Sequence, residues 1–76
     1  MSNIRVFVNG AAVDVPAGAT ALDAVRAADA GEALEVADGR RSITDSRGLP
    51  ADPAGVAFAG AIYRTVRARA QADGDS

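Results

Sequence analysis

Four residue types are missing from this chain of 76 residues: cysteine, histidine, tryptophan and lysine. Without cysteine, the chain has no disulfide, no thiolate nucleophile and no thiolate ligand for zinc or an iron–sulfur cluster. Without histidine, it also lacks the commonest general base and the commonest protein ligand of metals. We therefore expect no cofactor, no metal centre and no catalytic activity.

The chain also has little positive charge. Its eight arginines face ten acidic residues, which gives a formal net charge of −2. A nucleic-acid partner requires a basic face, so we expect none. No apolar signal segment follows Met1, and no apolar run approaches the length that spans a membrane. These features predict a cytoplasmic protein without membrane contact.

The first clear structural signal is a β-hairpin. Residues 4–8 (IRVFV) and 13–15 (VDV) are rich in strand-forming side chains and flank Asn9-Gly10, a pair that favours a two-residue type I′ turn. That turn sets the register, which we expect to pair Val8 with Ala11, Val6 with Val13, Ile4 with Val15, Arg5 with Asp14 and Phe7 with Ala12. One face of the hairpin then carries β-branched residues, and the other carries Arg5, Asp14 and Phe7.

A helix is predicted over residues 21–30. Thr20 is a good N-cap, and Asp23 three residues later completes a capping box. Gly31 is expected at the C-terminal end of the helix. Apolar positions of this helix and of the hairpin predict a shared core, composed of Val6, Val13, Val15, Leu22 and Val25.

The rest of the chain gives weaker signals. Residues 34–36 (LEV) alternate like a strand, and Asp38-Gly39 is expected to turn the chain back so that Leu34 faces Ile43 in residues 42–44. Residues 45–53 are expected to be irregular, and residues 56–58 (VAF) to anchor this connection in the core. Residues 61–67 predict a last strand, in which Ile62 and Val66 compete with Tyr63 and Thr65 for the buried side.

The order of hairpin, Thr-capped helix, short middle strands and glycine-preceded last strand resembles the ubiquitin-like β-grasp family. The pattern is closest to the small sulfur carriers of thiamin and molybdopterin synthesis, and it covers residues 4–67. The resemblance implies an α+β fold with a mixed sheet of four or five strands, one packed helix, and first and last strands parallel in its centre. Residues 1–69 are thus expected to form one domain, and residues 70–76 a disordered tail.

The resemblance leaves the function open. Sulfur carriers of this type end in Gly-Gly, whereas no two of the eight glycines here are adjacent and the sequence ends in Asp73-Gly74-Asp75-Ser76. We expect a non-catalytic interaction or accessory module that binds a larger protein. The alternative is a sulfur-carrier-like protein that acts with an adenylating enzyme through a processed or unconventional C-terminus.

Candidate binding residues follow from the hairpin register. Phe7 is expected to point away from the β-branched face, with Arg5 beside it and Tyr63 or Arg64 on a neighbouring strand. Aromatic and arginine side chains are the types that dominate protein interfaces. The sequence therefore predicts a partner-binding surface of Phe7, Arg5, Tyr63 and Arg64, unless Phe7 is itself part of the core.

Overall fold

The computed structural model describes residues 2–67. Its elements follow one another in the order β1 (Asn3–Val8), β2 (Ala11–Pro16), α1 (Ala21–Ala28), α2 (Ala30–Ala37), β3 (Arg41–Thr44) and β4 (Ile62–Arg67). The predicted tail, residues 70–76, lies outside the described residues.

The four strands form one mixed sheet in the order β2-β1-β4-β3. β1 and β4 lie side by side in the centre and run parallel, while β2 and β3 pair antiparallel with their neighbours at the two edges. The chain is therefore an α+β domain, and its first and last strands are the parallel central pair, as predicted.

The hairpin has the predicted register at all five predicted pairs, from Val8 opposite Ala11 to Ile4 opposite Val15. Asn9 and Gly10 both have positive φ, 52° and 87°, which is the backbone that a type I′ turn requires. Asn9 also extends the contact between the central strands. Its amide nitrogen donates to the hydroxyl of Thr65 at 2.9 Å, and its amide oxygen accepts from the Thr65 N–H at 3.0 Å.

Helix α1 begins as predicted. The Thr20 hydroxyl accepts from the N–H of Asp23, and the Asp23 carboxylate accepts from the N–H of Thr20, each at 3.1 Å. The end of α1 differs from the prediction, because the helix stops at Ala28 and Asp29 lies in extended backbone.

A second helix, α2, replaces the predicted strand of residues 34–36. Asp29 starts it by accepting the N–H groups of Gly31 and Glu32, so Gly31 lies in a first turn and does not terminate a helix. The predicted hairpin through Asp38-Gly39, with Leu34 facing Ile43, is therefore wrong, and the sheet is packed by two helices where one was expected. Ala33 and Val36, three residues apart, are the buried face of α2.

The core lies between the helices and one face of the sheet. Val6, Val15 and Val25 are buried as predicted, whereas Val13 and Leu22 are only partly buried at its margin. Within residues 2–67, the buried side chains are those of Val6, Val8, Val15, Ala21, Ala24, Val25, Ala33, Val36, Ile43, Ala57, Ala61 and Tyr63.

The connection between β3 and β4 is held against the start of α1. The carbonyl oxygens of Gly55 and Pro53 accept the N–H groups of Ala21 and Leu22, the first two residues of the helix. Only the middle residue of the predicted anchor at 56–58 is buried: Ala57 lies in the core, while the side chains of Val56 and Phe58 are exposed. Backbone hydrogen bonds to α1 thus hold this segment in place, whereas burial of its apolar side chains was expected to do so.

Candidate functional site: the open sheet face and the adjoining cleft

Pairing with β1 decides which side of β4 is buried. Tyr63 is the neighbour of Val8, and Ile62 is the neighbour of Phe7. Neighbouring residues of paired strands project to the same face of a sheet. Tyr63 therefore projects with Val8 into the core, while Ile62 projects with Phe7 to the other side.

The second side of the sheet is covered by neither helix. In its centre, β1 and β4 expose a set of side chains that we call the open face: Arg5, Phe7, Ile62, Arg64 and Val66. Phe7 is 36% exposed, Ile62 45% and Val66 40%. The two central strands thus place three large apolar side chains at the surface, next to two arginines.

Three of the four predicted binding residues, Arg5, Phe7 and Arg64, lie on this open face. Tyr63 does not, since it is only 6% exposed and projects into the core. The prediction that Tyr63 lies beside Phe7 was wrong, because the alternation of β4 puts residues 62, 64 and 66 on the open face and Tyr63 on the core side. Whether the face binds a partner stays a prediction.

The charges of the open face are mostly positive. The Arg5 guanidinium contacts the Asp14 carboxylate across the hairpin, with a distance of 3.1 Å from Nε to Oδ1. Arg64 is exposed and forms no ion pair with a carboxylate among residues 2–67. Because Arg64 has no carboxylate partner within the described part of the chain, this face favours an acidic contact.

A cleft of about 410 Å³ adjoins the open face where β4 begins. Ile62 belongs to both, and the connection between β3 and β4 forms the other walls of the cleft. Phe58, 68% exposed, and Val56, also exposed, supply apolar surface. The lining residues with polar side chains are Asp45, Ser46, Arg47, Asp52 and Tyr63.

Asp45 stabilises the loop on the polar side of the cleft. Its Oδ1 accepts the N–H of Arg47 at 2.8 Å and the N–H of Leu49 at 3.0 Å. These backbone donors, that of Leu49 first, lower the pKa of the Asp45 carboxyl from its usual value. The Arg47 guanidinium lies 3.8 Å from Oδ2 of the same carboxylate. Asp45 is therefore ionised at neutral pH and accepts hydrogen bonds in its own loop.

Tyr63 lines the cleft and is itself buried, with 6% of its surface exposed. Burial raises the pKa of the Tyr63 hydroxyl above its usual value of 10.0, so this hydroxyl is protonated at neutral pH.

Searches against protein-family models, curated proteins and solved structures found no match to this chain.

Two further features of the described residues bear on function. No three acidic side chains in residues 2–67 are grouped so that they could hold a metal ion. Neither α1 nor α2 has the length and the apolar character needed to cross a membrane.

The sequence did not predict that four exposed apolar residues belong to this surface: Ile62, Val66, Val56 and Phe58. The first two lie in a strand whose alternate positions are apolar on both sides, so its pattern does not identify the buried face. Val56 and Phe58 follow Pro53 and Gly55 in an irregular segment, and no periodicity there indicates exposure.

Proposed function

We propose that this chain is a β-grasp, ubiquitin-like module that binds a larger protein and does no chemistry of its own. The sheet order and the parallel central pair support the fold assignment, and so does the hairpin followed by a helix with a Thr cap. In such a scaffold the helices cover one side of the sheet and leave the other side available for contacts.

The observation that carries the proposal is the pairing of Phe7 with Ile62, with Val66 further along the same strand, on the face that the helices leave uncovered. Single exposed apolar residues are common and need no explanation. Three on one uncovered face, two of them direct neighbours, are different, because grouped apolar side chains are typical of protein-binding sites. Arg64 beside them adds a residue type that is enriched among binding hot spots.

The charges define the chemistry of the partner. Arg64 offers a planar guanidinium that can bind a carboxylate in a bidentate manner. The apolar side chains around it require apolar surface opposite them. We therefore propose a partner whose contact surface combines aliphatic or aromatic side chains with at least one Asp or Glu.

Site-specific photocrosslinking in cells of the source organism tests this proposal. A photoreactive phenylalanine analogue is placed at Ile62 in one variant and at Leu34, an exposed apolar residue of α2, in a matched control. We expect one predominant heterologous adduct at position 62 and none of that mass at position 34. An adduct at position 34 but not at 62, or none at either, would contradict binding through the open face.

The sulfur-carrier alternative depends on chemistry at a C-terminus that lies outside the described residues, and it stays a prediction. The same holds for a cytoplasmic location.

A further inference from the structure

We propose that a second copy of this chain pairs with the free edge of β2, so that two open faces join into one partner-binding surface. The joint surface rests on the proposed function, whereas the pairing itself rests on the backbone of β2. The inference goes beyond the proposed function by naming a second binding partner and the strand register through which it binds.

The two edges of the sheet differ in how they are covered. At β3, the carbonyl oxygen of Ile43 accepts the N–H of Ala51 at 2.8 Å, and Thr44 forms a bridge with Pro50. The chain therefore covers this edge with its own connection between β3 and β4. At β2, by contrast, residues 11–15 form no backbone hydrogen bond outside the hairpin with any residue from 2 to 67. The edge of β2 is thus the free edge of the sheet.

The hydrogen bonds of β1 show which groups of β2 point to this free edge. The N–H of Phe7 and the carbonyl oxygen of Arg5 both bond to the residues that lead into β4. In an antiparallel pair, residues opposite each other direct their backbone groups either toward each other or both away. Ala12 and Asp14, which lie opposite Phe7 and Arg5, therefore direct their N–H and C=O groups to the free edge.

Charge selects one register for two antiparallel copies of β2. Pairing Ala12 of each copy with Asp14 of the other forms four backbone hydrogen bonds and places no two carboxylates opposite each other. Pairing Asp14 with Asp14 brings two like charges together. Pairing Ala12 with Ala12 places Asp14 opposite Gly10, which lies in the turn. The favoured register therefore has Val13 opposite Val13 of the second copy.

Val13 suits the symmetry axis of such a pair. Its side chain is only partly buried, at the margin of the core, and two β-branched residues that face each other across a strand pair are favourable. Helix α1 follows the C-terminal end of β2, so antiparallel pairing puts the start of α1 in the two copies at opposite ends of the shared strands. Because both copies use the same edge, the contact closes at two copies.

The size of the open face gives this pairing a functional consequence. Four strands about 4.8 Å apart, each six residues or shorter with about 3.3 Å per residue, span roughly 20 by 20 Å, or about 400 Å². A stable interface covers about 800 Å² on each partner. Opposite residues of paired strands project to the same side, so the two open faces lie on one side of the joined sheet and together reach that area.

Single cysteines test the register, because this chain contains no cysteine. In the favoured register, the Cα atoms of residue 13 in the two copies lie about 4.5 Å apart, within reach of a disulfide. Those of residue 11 lie about 13 Å apart, since each faces residue 15 of the other copy. Under mild oxidation of concentrated protein, we expect Val13→Cys to form a covalent dimer at least about tenfold faster than Ala11→Cys. Residue 11 is the more exposed of the two, so equal rates, or faster crosslinking at residue 11, would overturn the pairing.

Ala12→Arg and Ala12→Asp are matched variants for the strength of the pairing. Residue 12 is exposed, so neither new side chain is buried in a single copy. In the pair, the arginine faces Asp14 of the second copy, whereas the aspartate faces it with like charge. Sedimentation equilibrium should show weak self-association of the unsubstituted protein, about fivefold stronger for Ala12→Arg and about fivefold weaker for Ala12→Asp. A monomer at every concentration up to millimolar, or the same response to both variants, would overturn the inference.

The disulfide-linked Val13→Cys dimer separates this inference from the proposed function. It should bind the partner identified by crosslinking at least about tenfold more tightly than the same protein after reduction, because only the dimer offers both open faces. Equal affinity would overturn the joint surface. Weaker binding by the dimer would mean that β2 pairs with an extended segment of the partner, which would also overturn it. If the dimer forms in the expected register but no protein crosslinks at position 62, the pairing stands and the proposed function fails.

Discussion

Val6 and Phe7 are neighbours in β1, yet their side chains lie in opposite surroundings. Val6 is fully buried between the sheet and the helices, whereas Phe7 is on the open face with Ile62 beside it. The same substitution at the two positions therefore has different physical consequences.

Val6→Asp and Phe7→Asp form a matched pair that tests this difference. A carboxylate at position 6 would be buried without a partner, and a domain of this size cannot retain its fold at that cost. At position 7 the carboxylate stays in water between two arginines, and we expect a loss of about 1 kcal/mol. Thermal unfolding by circular dichroism should show no transition for Val6→Asp and a midpoint lowered by about 4–8 °C for Phe7→Asp. Similar melting of both variants would contradict the assignment of the two faces.

At the scale of the elements, Asp29 determines how the chain passes from α1 to α2. Its own N–H donates to the carbonyl oxygen of Val25 at the end of α1, and its carboxylate accepts the N–H groups of Gly31 and Glu32 in the first turn of α2. One residue thus ends one helix and starts the next without an intervening loop.

Asp29→Ala should destabilise the domain by about 1 kcal/mol, because alanine cannot accept the two N–H groups at the start of α2. Asp29→Asn should keep nearly full stability, since asparagine is as good an N-cap as aspartate. Asp38→Ala at the other end of α2 is the control and should be neutral or slightly stabilising, because a negative charge there opposes the helix dipole. Urea unfolding measures all three. Equal losses in Asp29→Ala and Asp38→Ala would mean that the cap contributes nothing specific.

The cap of α1 makes stability depend on pH. The N–H of Thr20, above all, lowers the pKa of the Asp23 carboxyl below its ordinary value of 3.8, and Arg26 contributes less. A lowered pKa in the folded state stabilises the protein above the ordinary value, and this contribution is lost as the pH falls through the folded value.

Asp23→Asn should therefore reduce the loss of stability between about pH 5 and about pH 2. The urea midpoint at several pH values is the measurement. Asp45→Asn should have a similar effect, since the pKa of Asp45 is lowered by its own loop donors. If acid destabilises Asp23→Asn as strongly as the unsubstituted protein, the capping box does not carry this pH dependence.

The difference between the hairpin and α2 shows what the sequence could predict. The hairpin register depends on two turn residues and on alternation over a few neighbours, so local information determined it. Residues 34–36 alternate like a strand, but they also lie within the run of Ala30 to Ala37, where alanine and glutamate favour helix. Asp29 with Glu32 three residues later is a pattern typical of a helix start. This pattern was missed because Gly31 was assigned to the end of the preceding helix.

At the scale of the whole molecule, the sheet divides the domain into a covered side and an open side. Among the described residues, most acidic groups lie in or beside the helices, namely Asp23, Asp29, Glu32, Glu35 and Asp38. Arginines pair with three of these groups, and Arg5 of the open face pairs with Asp14. Arg64 is therefore the charge on the open face that favours an acidic partner there.

The candidate site was predictable only where it depends on the hairpin. Arg5 and Phe7 were placed correctly because the turn fixes their direction. The position of Tyr63 depends on the parallel offset between β1 and β4, which are separated by more than fifty residues, and no local pattern encodes that offset. The cleft depends on an irregular connection held by backbone hydrogen bonds, so its shape could not be predicted from side-chain types.

The central claim is tested most directly by a binding measurement with the purified partner that crosslinking identifies. The affinity of this partner is compared for two variants, Ile62→Asp and Leu34→Asp. Both substitutions put a carboxylate in place of an exposed aliphatic side chain, one on the open face and one on α2. Binding through the open face predicts at least a tenfold weaker affinity for Ile62→Asp, as expected at a hot spot, and an affinity within about twofold of the unsubstituted protein for Leu34→Asp. Unchanged affinity in Ile62→Asp, with both variants folded, would contradict the account.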